Sequence, residues 1–275
     1  MEQDYRDLSL DQMEAIEKLT LRTIVQALQQ YSAEARTIFE TTDAVSDQEV
    51  IVLAEDLVQY ALEVAEFYPI DRRYAGFIDY KRVRWLPTPF GLFPQVLLVD
   101  AKASTENGRD TLQASQLPMD AEFRSADGNI HHMPAGVLPH MEIPSTSGDP
   151  LLAVTTSIFV HFYYEKASAD PERVRTLKDI YLLSLPHQRL KGRYNPDPDT
   201  TFFGQGKHSP ARNEIPRIRV YFGRLKTMCP WRLQRLTFRE GEFYTAPVWS
   251  DLDAGGQPIE QIFGYLGRGS SALET

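Results

Sequence analysis

The sequence predicts a mixed α/β fold, and three observations carry that expectation. Apolar residues recur at helical spacing between positions 9 and 66, strand-length runs rich in β-branched and aromatic residues follow, and no linker-like stretch divides the chain. With 275 residues, 42% of them hydrophobic and 24% charged, the composition is that of a globular protein able to bury a sizeable core. Disordered and fibrous classes are excluded, and one domain is expected.

Each element has a local reason. Ser9 with Gln12 fits a capping box, in which the serine caps an amide and the residue three on returns the bond. Behind it Met13, Ile16, Leu19, Ile24, Val25 and Leu28 form an apolar stripe. Ser46 with Glu49 repeats the signal before Val50, Leu53, Leu57, Ala61 and Val64, and Pro69 lies where that second helix should have stopped. Residues 76–80 and 95–102 read as strands, with turns at Pro87, Pro89 and Gly91. Residues 154–164 and 180–185 read as two more, with a helix over 171–178 between them. Residues 104–150 read as loop-rich, and 267–271 as a frayed tail.

The totals exclude several functions. A net charge of −9 argues against a protein that coats nucleic acid or anionic membrane. The single cysteine, Cys229, excludes an internal disulfide and a cysteine-based zinc cluster. The first residues are acidic where a signal peptide would be basic, and no apolar run approaches the roughly 20 residues needed to span a bilayer, so a cytoplasmic protein is expected. No Gly-rich phosphate loop, serine nucleophile elbow or kinase signature is present.

The charge is sorted along the chain. Between Arg189 and Arg239 stand 12 Lys and Arg against three acids, a local balance of +9 that leaves −18 for the rest. An acidic body with one basic segment is the footprint of a polyanion reader, or else of a basic surface paired with its own acidic neighbours. Within the segment Arg217-Ile218-Arg219-Val220-Tyr221-Phe222 alternates strictly, so a strand would put Arg217, Arg219 and Tyr221 on one face. Residues two apart on a strand are separated by roughly 6.6 Å, near two base-pair steps of roughly 3.4 Å. Arginine also grips guanine O6 and N7 bidentately in the major groove. The alternative is an amphipathic edge strand whose arginines meet carboxylates; Lys207, His208 and Arg212 just upstream favour the DNA reading.

Candidate chemistry lies at Asp100-Ala101-Lys102, which follows a continuous apolar strand and puts positions 100 and 102 on one face. Asp79 sits 21 residues earlier on another short strand. Two strand-borne carboxylates beside a lysine suit metal-assisted phosphodiester hydrolysis: the carboxylates hold a hard cation, usually Mg²⁺, and the lysine orients the attacking water. A second Asp-x-Lys, Asp79-Tyr80-Lys81, offers another pairing, with Asp71 or Glu66 as partner carboxylate. The buried character of the stretch before Asp100 favours Asp100 and Lys102. His131, His132 and His140 read as surface loop residues rather than a metal site, His161 as a hydrogen-bonded core residue, and Tyr163-Tyr164 and Phe202-Phe203 as packing.

Asp79, Asp100 and Lys102 resemble the catalytic pattern of PD-(D/E)xK nucleases, and the surrounding sequence resembles the SfiI-type restriction endonucleases among them. The matching stretches are LRTIVQALQQY at 21–31, GFIDYKRVRWLP at 76–87, LLVDAKAST at 97–105, VTTSIFVHFYY at 154–164, RYNPDPDT at 193–200 and GKHSPAR at 206–212. The resemblance implies a restriction-endonuclease-like core, a central mixed β-sheet flanked by helices. Its parts would be a helical region at about 9–66, a catalytic core at about 70–185 and a DNA-reading segment at about 189–239. It implies a Mg²⁺-dependent type II enzyme of a restriction–modification system, cutting double-stranded DNA within GGCCNNNNNGGCC and leaving 3′ overhangs. It further implies a homotetramer that bridges two sites. Asp79 and Asp100 would be the metal ligands and Lys102 the catalytic lysine. Ile78 precedes the first aspartate where the family motif has proline, a common departure that leaves the aspartate's role intact. Arg217, Arg219 and then Lys207 are the expected base readers, and Arg109 a backbone or minor-groove contact. A two-fold recognition sequence requires at least a dimer. Residues near Trp231 are candidates for a subunit contact.

Overall fold

The computed structural model describes residues 5–44, 46–65, 69–70, 80–88, 91–105, 110–144, 148–166, 172–206, 216–238, 251–252 and 258–259. Both expected helix starts are present. α1 (Leu10–Gln30) opens on a reciprocal Ser9–Gln12 capping box. The helix breaks at Tyr31, and α2 (Ser32–Thr41) follows at once, an element not expected from the sequence. α3 (Asp47–Ala65) opens on the Ser46–Glu49 pair.

The strands in chain order are β1 (Pro69–Ile70), β2 (Tyr80–Thr88), β3 (Gly91–Ser104), β4 (Thr111–Gln113), β5 (Ala121–Arg124), β6 (Ile130–Met133), β7 (His140–Ile143), β8 (Leu151–Glu165), β9 (Thr176–Leu185), β10 (Phe203–Gln205), β11 (Arg217–Val220), β12 (Leu233–Thr237), β13 (Asp251–Leu252) and β14 (Pro258–Ile259). A seven-stranded sheet runs β1-β2-β3-β8-β9-β12, with β7 also on β8. Among the described residues its β3–β8 pairing is parallel and its other pairings are antiparallel, so the sheet is mixed. β3 and β8 are buried from Phe93 to Ala101 and from Ala153 to Phe162, as strands covered on both faces must be. Leu97, Val99 and Ala101 join the core cluster that includes α1 and α3. Val96 and Leu98, on the opposite face, join Val83, Val137, Ile143 and Ala153. Asp100 and Lys102 continue that second face.

Two expectations change. Residues 172–175 form no helix, and Thr176–Lys178 belong to β9. The Arg175 guanidinium there donates to the carbonyls of Phe39, Thr42 and Ala44, closing the end of α2, while Leu177 and Thr176 pair with β8. Tertiary contacts thus override the local helical pattern. The stretch expected to be loop-rich carries β4 to β7, including a β5–β6 hairpin turned at Gly128 with φ of 88°. The expected strand over 76–79 and the expected tail over 267–271 lie outside the described residues. Among the described residues, no helix is long and apolar enough to cross a membrane.

Candidate active site and nucleic-acid interface

Burial along β3 ends where its chemistry begins. Asp100 is 2% exposed, and the Lys102 side chain, 35% exposed, stands where the strand emerges. The Lys102 Nζ lies 2.8 Å from Asp100 Oδ2, so the lysine compensates a carboxylate that burial would otherwise penalise. The other oxygen, Oδ1, accepts a 2.6 Å hydrogen bond from Gln116 Nε2. Gln116 ends a single 3₁₀ turn, Ala114–Gln116, that continues directly from β4. Neither composition nor spacing points to Gln116; its reach to Asp100 exists only in the fold.

Lys102 pairs with His161 of β8, which pairs with Tyr181 of β9. His161 is buried, bonds Ser104 Oγ through Nε2 at 2.8 Å and stacks on Tyr181, as expected of a core histidine. His131, His132 and His140, expected in loops, lie on β6 and β7, and each is engaged separately: His131 with Ser125 and Phe123, His132 with Glu122, His140 with Tyr5. Among the described residues, no group of three or more His, Cys, Asp or Glu is arranged to hold a metal ion. Asp79 lies outside those residues. Asp100 by itself supplies carboxylate oxygens and no nitrogen or sulfur, a donor set suited to a hard cation that keeps most of its water, not to zinc.

The arginine strand is the middle strand of a second, three-stranded antiparallel sheet, β10-β11-β4, and not an edge. Ile218 and Val220 are buried while Arg217 and Arg219 are partly exposed on the other face, as the alternation predicts. Tyr221 leaves the strand to stand at the N-cap of α4 (Phe222–Met228), which corrects the expected strand end. Its ring lies against Gly204, where a Cβ would come within 2.3 Å of Tyr221 Cε2, and Arg224 sits 4.5 Å over it. Arg219 meets a carboxylate, with its Nε 3.0 Å from Asp110 Oδ1. Burial pushes the Asp110 carboxyl up from 3.8 to about 6, against the downward pull of Arg219. Lys207 and Arg109 lie outside the described residues.

Five other basic residues of the segment have another role. Arg189 donates to the carbonyls of Tyr5 and Leu8, Lys191 pairs with Glu122, Arg193 with Asp11 and Glu14, and Arg235 with Asp179. Arg232 is fully buried, its Nη2 2.6 Å from Glu17 Oε2. These residues follow the reading of a basic surface paired with its own acidic neighbours, and Arg219 too meets a carboxylate. Trp231 is itself fully buried, so it offers no surface for a subunit contact.

The chain matches the family described as type II restriction enzyme SfiI over residues 33–236. It is 66% identical over 269 residues to the type II restriction enzyme SfiI of Streptomyces fimbriatus, covering 98% of this chain and 100% of that protein. Its structure is similar to that of the tetrameric restriction endonuclease SfiI bound to cognate DNA, with a TM-score of 0.87, 68% identity, and coverage of 94% of this chain and 97% of that one. A more distant likeness, TM-score 0.63 at 16% identity over 83% of this chain and 91% of the other, joins it to the restriction endonuclease BglI bound to its DNA recognition sequence. That second likeness is one of fold, and it bears out the expected restriction-endonuclease-like core.

Proposed function

The chain belongs to the SfiI family of type II restriction enzymes, and from that premise we propose that it cuts double-stranded DNA within GGCCNNNNNGGCC, leaving 3′ overhangs, as a homotetramer that bridges two sites. The observation that carries the catalytic part is the Asp100–Lys102 pair, 2.8 Å apart at the emerging end of a buried strand. The tetramer follows the relative that was solved as a tetramer on cognate DNA.

Type II restriction enzymes generally use a divalent metal, and here Asp100 with Asp79 would hold Mg²⁺. Held there, it would supply Lewis-acid polarisation of the scissile phosphate. Asp100, fixed between Lys102 and Gln116, presents its carboxylate in one orientation. Lys102 contributes positive charge beside the phosphate and a donor that orients the attacking water. Arg217 and Arg219 read base edges in the major groove, with Lys207 as a further reader and Arg109 contacting the backbone or minor groove.

The test is Asp100→Ala in the full-length enzyme. Cleavage should be lost while binding to a duplex carrying the site persists. Retained cleavage would remove Asp100 from the catalytic set.

A further inference from the structure

Gln116 has no freedom in how it meets Asp100. It is 3% exposed, and both ends of its amide are engaged: Oε1 accepts the Gln113 N–H at 3.0 Å, and Nε2 donates to Asp100 Oδ1 at 2.6 Å. A backbone N–H only donates and an ionised carboxylate only accepts, so a flipped amide would mismatch both. The turn that carries Gln116 is clamped from two sides. From one, Gly136 presses so close that a Cβ would lie 2.4 Å from the Ala114 carbonyl oxygen, and the N–H groups of Gly136 and Val137 both donate to Leu117 at 3.0 Å. From the other comes the arginine strand: Arg217 pairs with Gln113, Arg219 with Thr111, and the Ala114 N–H donates to Pro216 at 2.8 Å.

The face that carries Arg217 and Arg219 is thus joined to Asp100 by one paired strand, one turn and one hydrogen bond. We propose that Gln116 is a positioning residue through which the seating of the arginine strand sets the orientation of the Asp100 carboxylate. The proposal rests on Asp100 being the catalytic carboxylate. With Oδ1 held by Gln116 and Oδ2 facing Lys102, the plane of the carboxylate follows the turn, and the turn follows β11 through the β4 ladder. A shift of β11 on a wrong site moves Gln116 and mis-aims Asp100. Cleavage then discriminates between sites more sharply than binding does. Hydrogen-bond partners of ligand carboxylates typically matter by about 10–100-fold in metal affinity or rate.

The experiment uses the full-length enzyme carrying Gln116→Met, which keeps length and apolar bulk and removes both hydrogen bonds. Three readouts are taken: affinity for a site-bearing duplex without divalent metal, Mn²⁺ affinity of that complex by electron paramagnetic resonance, and single-turnover cleavage with Mg²⁺. Cleavage is measured on the site and on a duplex altered at one base pair. We expect site binding within about twofold of the parent, Mn²⁺ affinity and cleavage at the site each reduced about 10–100-fold, and a smaller fall at the altered duplex, so that the ratio of the two rates narrows. An unchanged Mn²⁺ affinity with an unchanged rate ratio overturns the proposal, as does a parallel loss of DNA binding, which would make Gln116 merely structural. Gln116→Glu is the second variant, since it keeps the acceptor for Gln113 and loses the donor to Asp100; parental cleavage by it would also overturn the proposal. Asp100→Ala separates the two levels. If that variant still cuts, the reading of Asp100 fails; if it is inactive while Gln116→Met behaves as the parent, only the role of Gln116 falls.

Discussion

Arg232 and Arg219 belong to one basic segment, and their surroundings are opposite. Arg232 has no exposed surface, stacks over Trp231 and Tyr194 and pairs with Glu17, whose carboxyl burial pushes above its usual range against the pull of this guanidinium and the His187 N–H. Arg219 is one-third exposed on a strand face, with the Asp110 carboxylate beside it. The same residue type therefore serves as internal mortar in one place and as a displayed charge in the other. What separates them is burial and the number of neighbouring groups that depend on the charge, neither of which a charge count carries.

The largest effect is expected for Arg232→Ala. It strands Glu17 in the interior, and removing one partner of a buried pair costs about 3–5 kcal/mol, so denaturant unfolding should show a loss of that order. A near-neutral result would make Arg232 as dispensable as a surface arginine.

Next in size is a pH effect on the same structural side. Burial pushes the His187 imidazole down from 6.5 to about 4, while the backbone N–H of His187 donates to Glu17. Between those pH values the unfolded chain binds a proton that the native protein refuses. Stability should therefore fall as pH drops from about 6.5 to about 4. The loss should be a few kcal/mol at most, since each tenfold difference in proton affinity between the two states is worth about 1.36 kcal/mol. Denaturation curves across that window should flatten in His187→Gln.

On the displayed side, Arg219→Ala should weaken binding to the specific site by about 1–3 kcal/mol and binding to random DNA little. Equal losses on both would assign Arg219 to phosphate contact. The same variant removes the charge that lowers the Asp110 carboxyl, so its titration, followed by NMR, should move above about 6. The smallest effect is expected for Arg235→Ala. The arginine side chain is more than half exposed, and Asp179, although buried, keeps the hydrogen bond from Thr237, so the stability loss should be about 1 kcal/mol, well below that of Arg232→Ala.

Much of the scaffold was legible because its causes are local. Ser9 with Gln12 and Ser46 with Glu49 announce helix starts by side chains three residues apart, and the apolar runs of β3 and β8 announce doubly covered strands. Asp100 and Lys102 were legible for the same reason, since a strand's period of two puts them on one face. The features that were missed depend on distant partners. Residues 172–178 have a helical look, yet Arg175 is committed to three carbonyls at the end of α2 and just beyond it. Tyr31 ends α1 without a proline or glycine to mark it. Gln116 reaches Asp100 only because β4 pairs with a strand more than 100 residues later. The basic segment was legible as charge and not as function, because Glu17, Asp11 and Asp179 come from other parts of the chain.

The proposed cleavage is tested by digesting a long, fully sequenced DNA with the enzyme, with and without Mg²⁺, and mapping every cut end. Cuts should be confined to GGCCNNNNNGGCC, made only with metal and leaving 3′ overhangs. Metal-dependent cuts spread over other sequences would contradict the specificity, and no cutting in any divalent metal would contradict the catalytic reading of Asp100 and Lys102.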